Sequence, residues 1–317
     1  MKTLFVSILL AVMAFASVAH AEKKRIALVL PGPITDGTFN SAANKGIEAA
    51  KKKYDIDVVV RENTDLSQME DVLRSYADEG YDMVIAHGFQ FAEPVMAIHG
   101  DYPKTFFVVN TAQVSAPPNV ASFDNRWGDA GYMAGAVAAL YSKSGKIGTV
   151  GAIPVPVIQQ YNLGFERGAK HVRPDINVLS AYVGSLSDVA RGAEITTSMI
   201  EQGADVVTST GNENVMGTIQ AAQKAKVKAI GSAFDSYQMA PDTIITTALI
   251  NMDVNIDLAI GHFLDGTLKP QAYVLGLKEN GIGLAPLHDD NKISAADKAR
   301  IDGLVADIAA GRITDLP

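Results

Sequence analysis

The chain reads as an α/β protein built from two Rossmann-like parallel-sheet lobes joined by three crossings. Three observations predict this. Apolar runs of strand length alternate with longer amphipathic runs, the grammar of right-handed βαβ units and a covered parallel sheet. That pattern restarts near residue 146. Short motifs also recur at nearly constant offsets. Asp55-Ile56-Asp57-Val58 returns as Asp175-Ile176-Asn177-Val178, 120 residues on, and Arg25 as Lys146, 121 residues on. Gly80-Tyr81-Asp82-Met83-Val84, running to Gly88, returns as Gly203-Ala204-Asp205-Val206-Val207, running to Gly211, 123 residues on. Offsets that close mark a duplicated unit.

Taken in order, Arg25 to Leu30 predicts a buried strand and Ser41 to Lys53 a helix. Between them lies Pro-Gly-Pro-Ile-Thr-Asp-Gly-Thr-Phe-Asn, residues 31–40. Its prolines and glycines stop regular structure, and loops at the carboxyl ends of parallel strands are where open α/β sheets bind ligands. Ile56 to Val60 is the second strand. Leu66 to Asp78 is the second helix, with Met69, Val72, Leu73 and Tyr76 on one face. Met83 to Ala86 and Phe106 to Val109 are the third and fourth strands, running into His87 and Asn110. In the second half Lys146 to Gly151, Asn177 to Val183, Asp205 to Thr208 and Val227 to Ile230 repeat the series. Thr243 to Ile250, a helix over Met252 to Leu264, Ala272 to Leu277 and a helix over Ala295 to Ala310 complete the chain.

A simple tandem does not account for that tail. A chain that visits one lobe, then the other, and returns needs crossings near Phe123 to Trp127, Thr247 to Asn251 and Lys278 to Leu284, where polar residues or glycines interrupt extended segments. The expected division is 22–124 plus 249–279 for the first lobe and 125–248 plus 280–317 for the second. Three crossings make closure of the lobes the expected motion.

Composition narrows the class. The 317 residues are 48% hydrophobic and 20% charged, as in a globular protein, and carry a formal charge of -8,. That balance argues against nucleic acid and anionic membrane as partners. Lys2, the apolar run Leu4 to Phe15 and Ala19-His20-Ala21 before Glu22 form a positive, apolar and small-x-small series, so a signal peptide over 1–21 with cleavage after Ala21 is expected. Cysteine is absent, which leaves no disulfide and no lipid-accepting thiol. A periplasmic monomer follows as the expectation.

Catalysis finds little support. The loop after the first strand lacks Gly-x-Gly-x-x-Gly, and no phosphate-cradling Gly-x-x-x-x-Gly-Lys-Ser/Thr or Gly-x-Ser-x-Gly elbow occurs. His87, His99, His171, His262 and His288 contain no pair at helical ligand spacing, so neither metal nor cofactor is expected. Asp289-Asp290 sits in a charged segment that reads as a solvated loop. What remains is a set of polar and aromatic residues at strand ends. In the first half these are Thr35, Asp36, Phe39, Asn40, His87, Gly88, Phe89 and Asn110. In the second they are Tyr161, Thr210, Gly211, Asn212, Glu213, Asp235 and Ser236, with Trp127 at the first crossing. Facing sets of this kind form a cleft in which aromatics sandwich a flat ring and amides or carboxylates read its edge. Phe39 and Tyr161 are the expected sandwich, and Asp235-Ser236 follows a strand with no helix cap in view.

Several of these residues carry a family resemblance. Ile26-Ala27-Leu28-Val29, Asp36-Gly-Thr-Phe39-Asn40, Gly88-Phe89, Tyr132-Met-Ala-Gly135 and Tyr161-x-x-Gly164-Phe165-x-x-Gly168, in that order, resemble the basic membrane protein family across nearly the whole mature chain. The resemblance implies the type I periplasmic binding protein fold and a substrate-binding component of an ABC importer, similar to purine nucleoside receptors, that hands its ligand to an inner-membrane permease. It matches Phe39 and Asn40 to base-holding positions and Asp235 to a sugar contact. Two positions depart from the family pattern. Asn110 stands where it has an aspartate, and Ile250 where the nucleoside receptors place a ribose-reaching lysine. An apolar branch there leaves ribose hydroxyls unpaired, so a purine base or similar flat heterocycle is expected over a full nucleoside. A sugar or autoinducer receptor on the same fold, a periplasmic nucleoside hydrolase and a ligand-sensing partner of a membrane receptor are the competing readings.

Overall fold

In the computed structural model, residues 22–288 and 293–317 are described; the expected signal segment and Asp289-Asp290 lie outside them. The first apolar run becomes β1 (Lys24–Val29), whose last four residues are buried. It is followed by α1 (Phe39–Lys53), β2 (Ile56–Arg61), α2 (Met69–Asp78), β3 (Met83–His87), α3 (Ala92–Ile98), β4 (Phe106–Asn110) and β5 (Val120–Asn125). The second half gives α4 (Trp127–Tyr141), β6 (Lys146–Gly151), α5 (Pro156–Val172), β7 (Asn177–Tyr182), α6 (Val189–Glu201), β8 (Val206–Thr210), α7 (Asn214–Ala225), β9 (Lys228–Ala233) and β10 (Ile244–Ile250). The tail adds α8 (Met252–Leu264), β11 (Ala272–Leu275), β12 (Ile282–Leu284) and α9 (Ala295–Ala309).

These strands form two six-stranded sheets of one topology, β2-β1-β3-β4-β5-β11 and β7-β6-β8-β9-β10-β12. The first is parallel throughout; in the second β12 alone runs antiparallel, against β10. The recurrent motifs acquire a physical reason. Asp82, before β3, accepts the Arg25 N–H at 2.9 Å, and Asp205, before β8, accepts the Lys143 and Ser144 N–H groups at 2.7 and 2.8 Å. Each carboxylate ties the start of its lobe's third strand to the chain entering the first.

The chain passes between sheets at Arg126, at Asn251 and over Gly276 to Gly281. Leu249 and Ile250, expected in the first lobe, pair with Ala233 and Ile282 and so belong to the second sheet.

α4 was not legible as a helix, and its burial explains why. Thirteen of its fifteen residues are buried, so no polar face marks a 3.6-residue period,. It packs on α5 through glycines: a Cβ on Gly131 or Gly135 would overlap the carbonyl oxygen of Tyr161 or Phe165, and one on Gly164 or Gly168 that of Gly128 or Tyr132. The Tyr132-to-Gly135 and Tyr161-to-Gly168 motifs are therefore a close helix contact in the core of the second lobe.

Candidate functional site

In an open α/β sheet the crevice opens where neighbouring loops leave in opposite directions, here beside β1 and β3 in one lobe and β6 and β8 in the other. A cavity of about 40 Å³ lies there between the lobes, well below the several hundred Å³ usual for small-molecule sites. The first lobe and crossing supply Phe39, Phe89, Gln90, Thr111 and Trp127; the second lobe supplies Val157, Ile158, Leu186, Gly211 and Asn212. None of these side chains is charged.

Phe39 opens α1 and is held from behind. Its ring stacks on His87 with centroids 3.9 Å apart and 29° between planes. His87 is fully buried, Nε2 lies 3.1 Å from the Phe39 carbonyl and Nδ1 lies 3.1 Å from Asn110 Nδ2. A carbonyl only accepts, so Nε2 carries the proton and Nδ1 accepts from the amide. Burial pushes the imidazole pKa down to about 4 against the pull of that carbonyl, and the ring is neutral at pH 7.

The network continues inward. Asn110 Oδ1 accepts from Asn255 Nδ2 at 2.8 Å, Asn255 and Asn125 exchange amide hydrogen bonds at 3.2 and 2.8 Å, and Asn125 Nδ2 donates to the Gly281 carbonyl at 2.7 Å. The chain of bonds thus touches all three passages between the lobes. His87 and Asn110, expected as ligand contacts, stand behind Phe39 instead and fix its position.

Asp36 is likewise committed to its own loop. Its carboxylate accepts the Thr38, Asn40 and Ser41 N–H groups, the Asn40 side-chain amide and the Ser41 hydroxyl, all within 2.8–2.9 Å. A carboxylate with five donors has little capacity left for a ligand edge; it caps α1 and shapes the turn. Thr35 is exposed outside the cavity. Asn40 is fully buried and its Oδ1 has no partner.

On the opposite lip the expected sandwich partner is displaced. Tyr161 is fully buried, its hydroxyl 3.2 Å from Thr208 Oγ1, and burial pushes that hydroxyl's pKa up. It lies three residues, about 4.5 Å of helix rise, from Ile158, which takes the place at the cavity wall. The third aromatic in the cavity lining, with Phe39 and Phe89, is Trp127, whose Nε1 donates to Asp124 Oδ1 at 2.9 Å. Burial raises the Asp124 pKa, while Gln113, the Asn125 N–H and Trp127 hydrogen-bond its carboxylate.

Gly88 and Gly211 end corresponding strands with φ of +129° and +146°. Gly211 reaches the cavity wall; a Cβ there would strike the Asn214 amide and Ala152. Thr210 is buried with an unpartnered hydroxyl, and Glu213 lies half-buried before α7.

Asp235 and Ser236 are engaged in local bonds rather than in a side-chain cap. Asp235 accepts the Tyr237 N–H at 3.1 Å at the head of a single 3₁₀ turn, and buried Ser236 donates its hydroxyl to the Phe234 carbonyl. Asp235 and Ile250 border a second recess between the lobes, with Ser41, Ala42, Lys45, Phe234 and Leu249. Sequence reasoning missed Gln90, Thr111, Val157, Ile158 and Leu186. All follow strands, and the neighbours Phe89 and Asn110 were already in view.

With this geometry in hand, the chain can be set beside known proteins. The model of the Bmp family, ABC transporter substrate-binding protein PnrA-like, matches residues 23–313. The chain belongs to this family. It is similar to Basic membrane protein A of Borreliella afzelii, 26% identical with 82% of each chain covered. It is also similar to a purine-binding protein of Brucella abortus, 29% identical over 89% of this chain and 82% of that one. The solute-binding protein of an Aeropyrum pernix K1 ABC transporter system shares its fold, with a TM-score of 0.84 at 23% identity, covering 93% and 94% of the two chains.

The Bmp chain is thus an ABC-type substrate-binding protein with the type I periplasmic binding fold, and its family and fold are those of solute-binding proteins rather than enzymes. Proteins of this kind bind small molecules and work with ABC permeases. Among the described residues no helix is long and apolar enough to cross a membrane, and no cluster of acidic or histidine side chains is placed to hold a metal ion.

Proposed function

We propose that this Bmp protein binds an uncharged purine base, or a flat heterocycle like it, in the interlobe cleft and delivers it as a periplasmic monomer to an inner-membrane permease. The observation that carries the reading is the cavity lining itself: three aromatic rings, apolar side chains from the facing lobe, and only amides and a hydroxyl to read polar edges. Aromatic faces suit a planar ring. A phosphate or carboxylate would enter the pocket with no cation to meet it, which is costly. The purine-binding relative from Brucella abortus supports the same class. The recess beside Asp235 has Ile250 in its lining, an apolar branch that gives a ribose hydroxyl nothing to bond with at that position and favours base over nucleoside. A sugar receptor would need more hydrogen-bonding capacity than this lining holds.

Calorimetric titration with adenine, guanine, hypoxanthine, xanthine, urate and the corresponding nucleosides tests the proposal. Binding of one or more neutral bases, tighter than their nucleosides, is the expected result. Nucleosides binding well while every base fails would overturn it.

A further inference from the structure

Resting on the purine-type reading of the cleft, we propose that Thr111 is a specificity-determining residue whose hydroxyl hydrogen-bonds the polar edge of the uncharged ring among Phe39, Phe89 and Trp127. Three independent observations meet at this residue. Thr111 lines the cavity. Its backbone has φ of +72°, a left-handed conformation that is a true outlier for a β-branched side chain. Its hydroxyl is buried and has no hydrogen-bond partner in the protein.

The turn itself does not call for a threonine. The backbone there is held by its neighbour strand, since the Thr111 N–H donates to the Phe123 carbonyl of β5 at 2.6 Å and extends the β4–β5 ladder. The hydroxyl bonds to neither its own loop nor a neighbour, so it gives the fold nothing in return for the strain. The second lobe supplies an internal control. β9 corresponds to β4, and its last residue, Ala233, adopts φ of +73°. The same backbone is thus built there with a methyl group alone. Gly88 and Gly211, which leave the adjacent strands β3 and β8, show that glycine is used for positive φ elsewhere on this face. What distinguishes position 111 is an added hydroxyl, held by a strained backbone against the cavity. Strain of this kind gathers at functional sites because the surrounding structure maintains it for a purpose other than stability.

A hydroxyl can donate or accept, so it complements either kind of ring edge, while a ligand with no polar edge would leave it buried and unpaired. Selection therefore works against apolar aromatics as well as for polar ones. Position 111 is distinguished from a merely structural one by a split between stability and affinity.

The test uses the full chain and hypoxanthine as probe, with thermal unfolding and calorimetric titration of wild type, T111S, T111V and T111G. T111S is expected to keep affinity within about threefold, and T111V and T111G to lose roughly tenfold, the cost of one unpaired hydrogen bond. T111G, relieved of strain, is expected to be at least as stable as wild type; should T111V fail to fold, T111G reads the same quantity. Wild-type binding with unchanged affinity in T111G and T111V overturns the role of Thr111 and leaves the purine reading standing. Failure of wild type to bind any base or nucleoside of the panel overturns both.

Discussion

At the strand ends facing the cleft, the first lobe carries His87, Asn110 and Thr111, where the second carries Thr210, Ser232 and Ala233. The backbones correspond, down to the positive-φ glycine after β3 and β8. The side chains do different work. In the first lobe His87 and Asn110 join a buried amide and imidazole network that fixes Phe39 and runs on to the passages between lobes, while the Thr111 hydroxyl stays unpartnered. In the second they are small and stay within their own sheet; Ser232, for example, donates to the Ser209 carbonyl at 2.6 Å. Its contribution to the cavity is instead an apolar wall of Val157, Ile158 and Leu186. Duplication thus supplied one scaffold twice, and in the proposed function one copy recognises the ligand while the other closes over it.

The comparison can be broken first at the scaffold of the closing lobe. Gly135→Ala would push a methyl into the Phe165 carbonyl of the adjoining helix, and backbone has little room to give. A loss of at least about 3 kcal/mol in urea unfolding is expected; an unchanged midpoint would show that the two helices can part without cost.

The recognising lobe should be the acid-sensitive one. An imidazole titrates near pH 6.5 when unfolded but is pushed down to about 4 at His87. Between those values the unfolded chain takes up a proton that the folded one refuses. Stability is therefore complete above about pH 6.5, falls as pH drops towards 4, and levels off below. The span is on the order of 3 kcal/mol for one fully buried group. Unfolding curves at pH 7, 5.5 and 4 check this, with His87→Gln as the control that should flatten the profile.

Two aromatic substitutions sharpen the division further. Phe39→Ala should weaken binding of a purine base by about 1 to 3 kcal/mol, the range for base stacking, with the fold intact. Tyr161→Phe removes a buried hydroxyl from Thr208 and should cost about 1 kcal/mol of stability while leaving ligand affinity as it was. Equal losses of affinity in the two variants would contradict the placement of Tyr161 in the core.

The duplication was legible because strand-forming runs and the Asp82 and Asp205 staples sit close to the backbone and repeat with it. The position of the cleft was legible for the same reason, since strand ends follow from strands. Side-chain direction was not. Tyr161 and Ile158 share a helix face, and only packing against α4 decides that the deeper one is core. Asp36 reads as a recognition carboxylate until the five donors around it are counted, and Asp235 as a free one until its 3₁₀ turn forms. Asn110, Asn255 and Asn125 are far apart in sequence, so nothing local announces that their amides meet. Thr111 is marked in sequence only by its place after the fourth strand, beside Asn110; its backbone conformation and its unpaired hydroxyl single it out.

The central claim is that the cleft holds a neutral, flat heterocycle. Mass spectrometry of the small molecule released on denaturing the purified protein, expressed without added ligand, tests it most directly. A purine base or a heterocycle of that size is the predicted result. A sugar, a phosphorylated compound or a carboxylic acid bound in stoichiometric amount would contradict it.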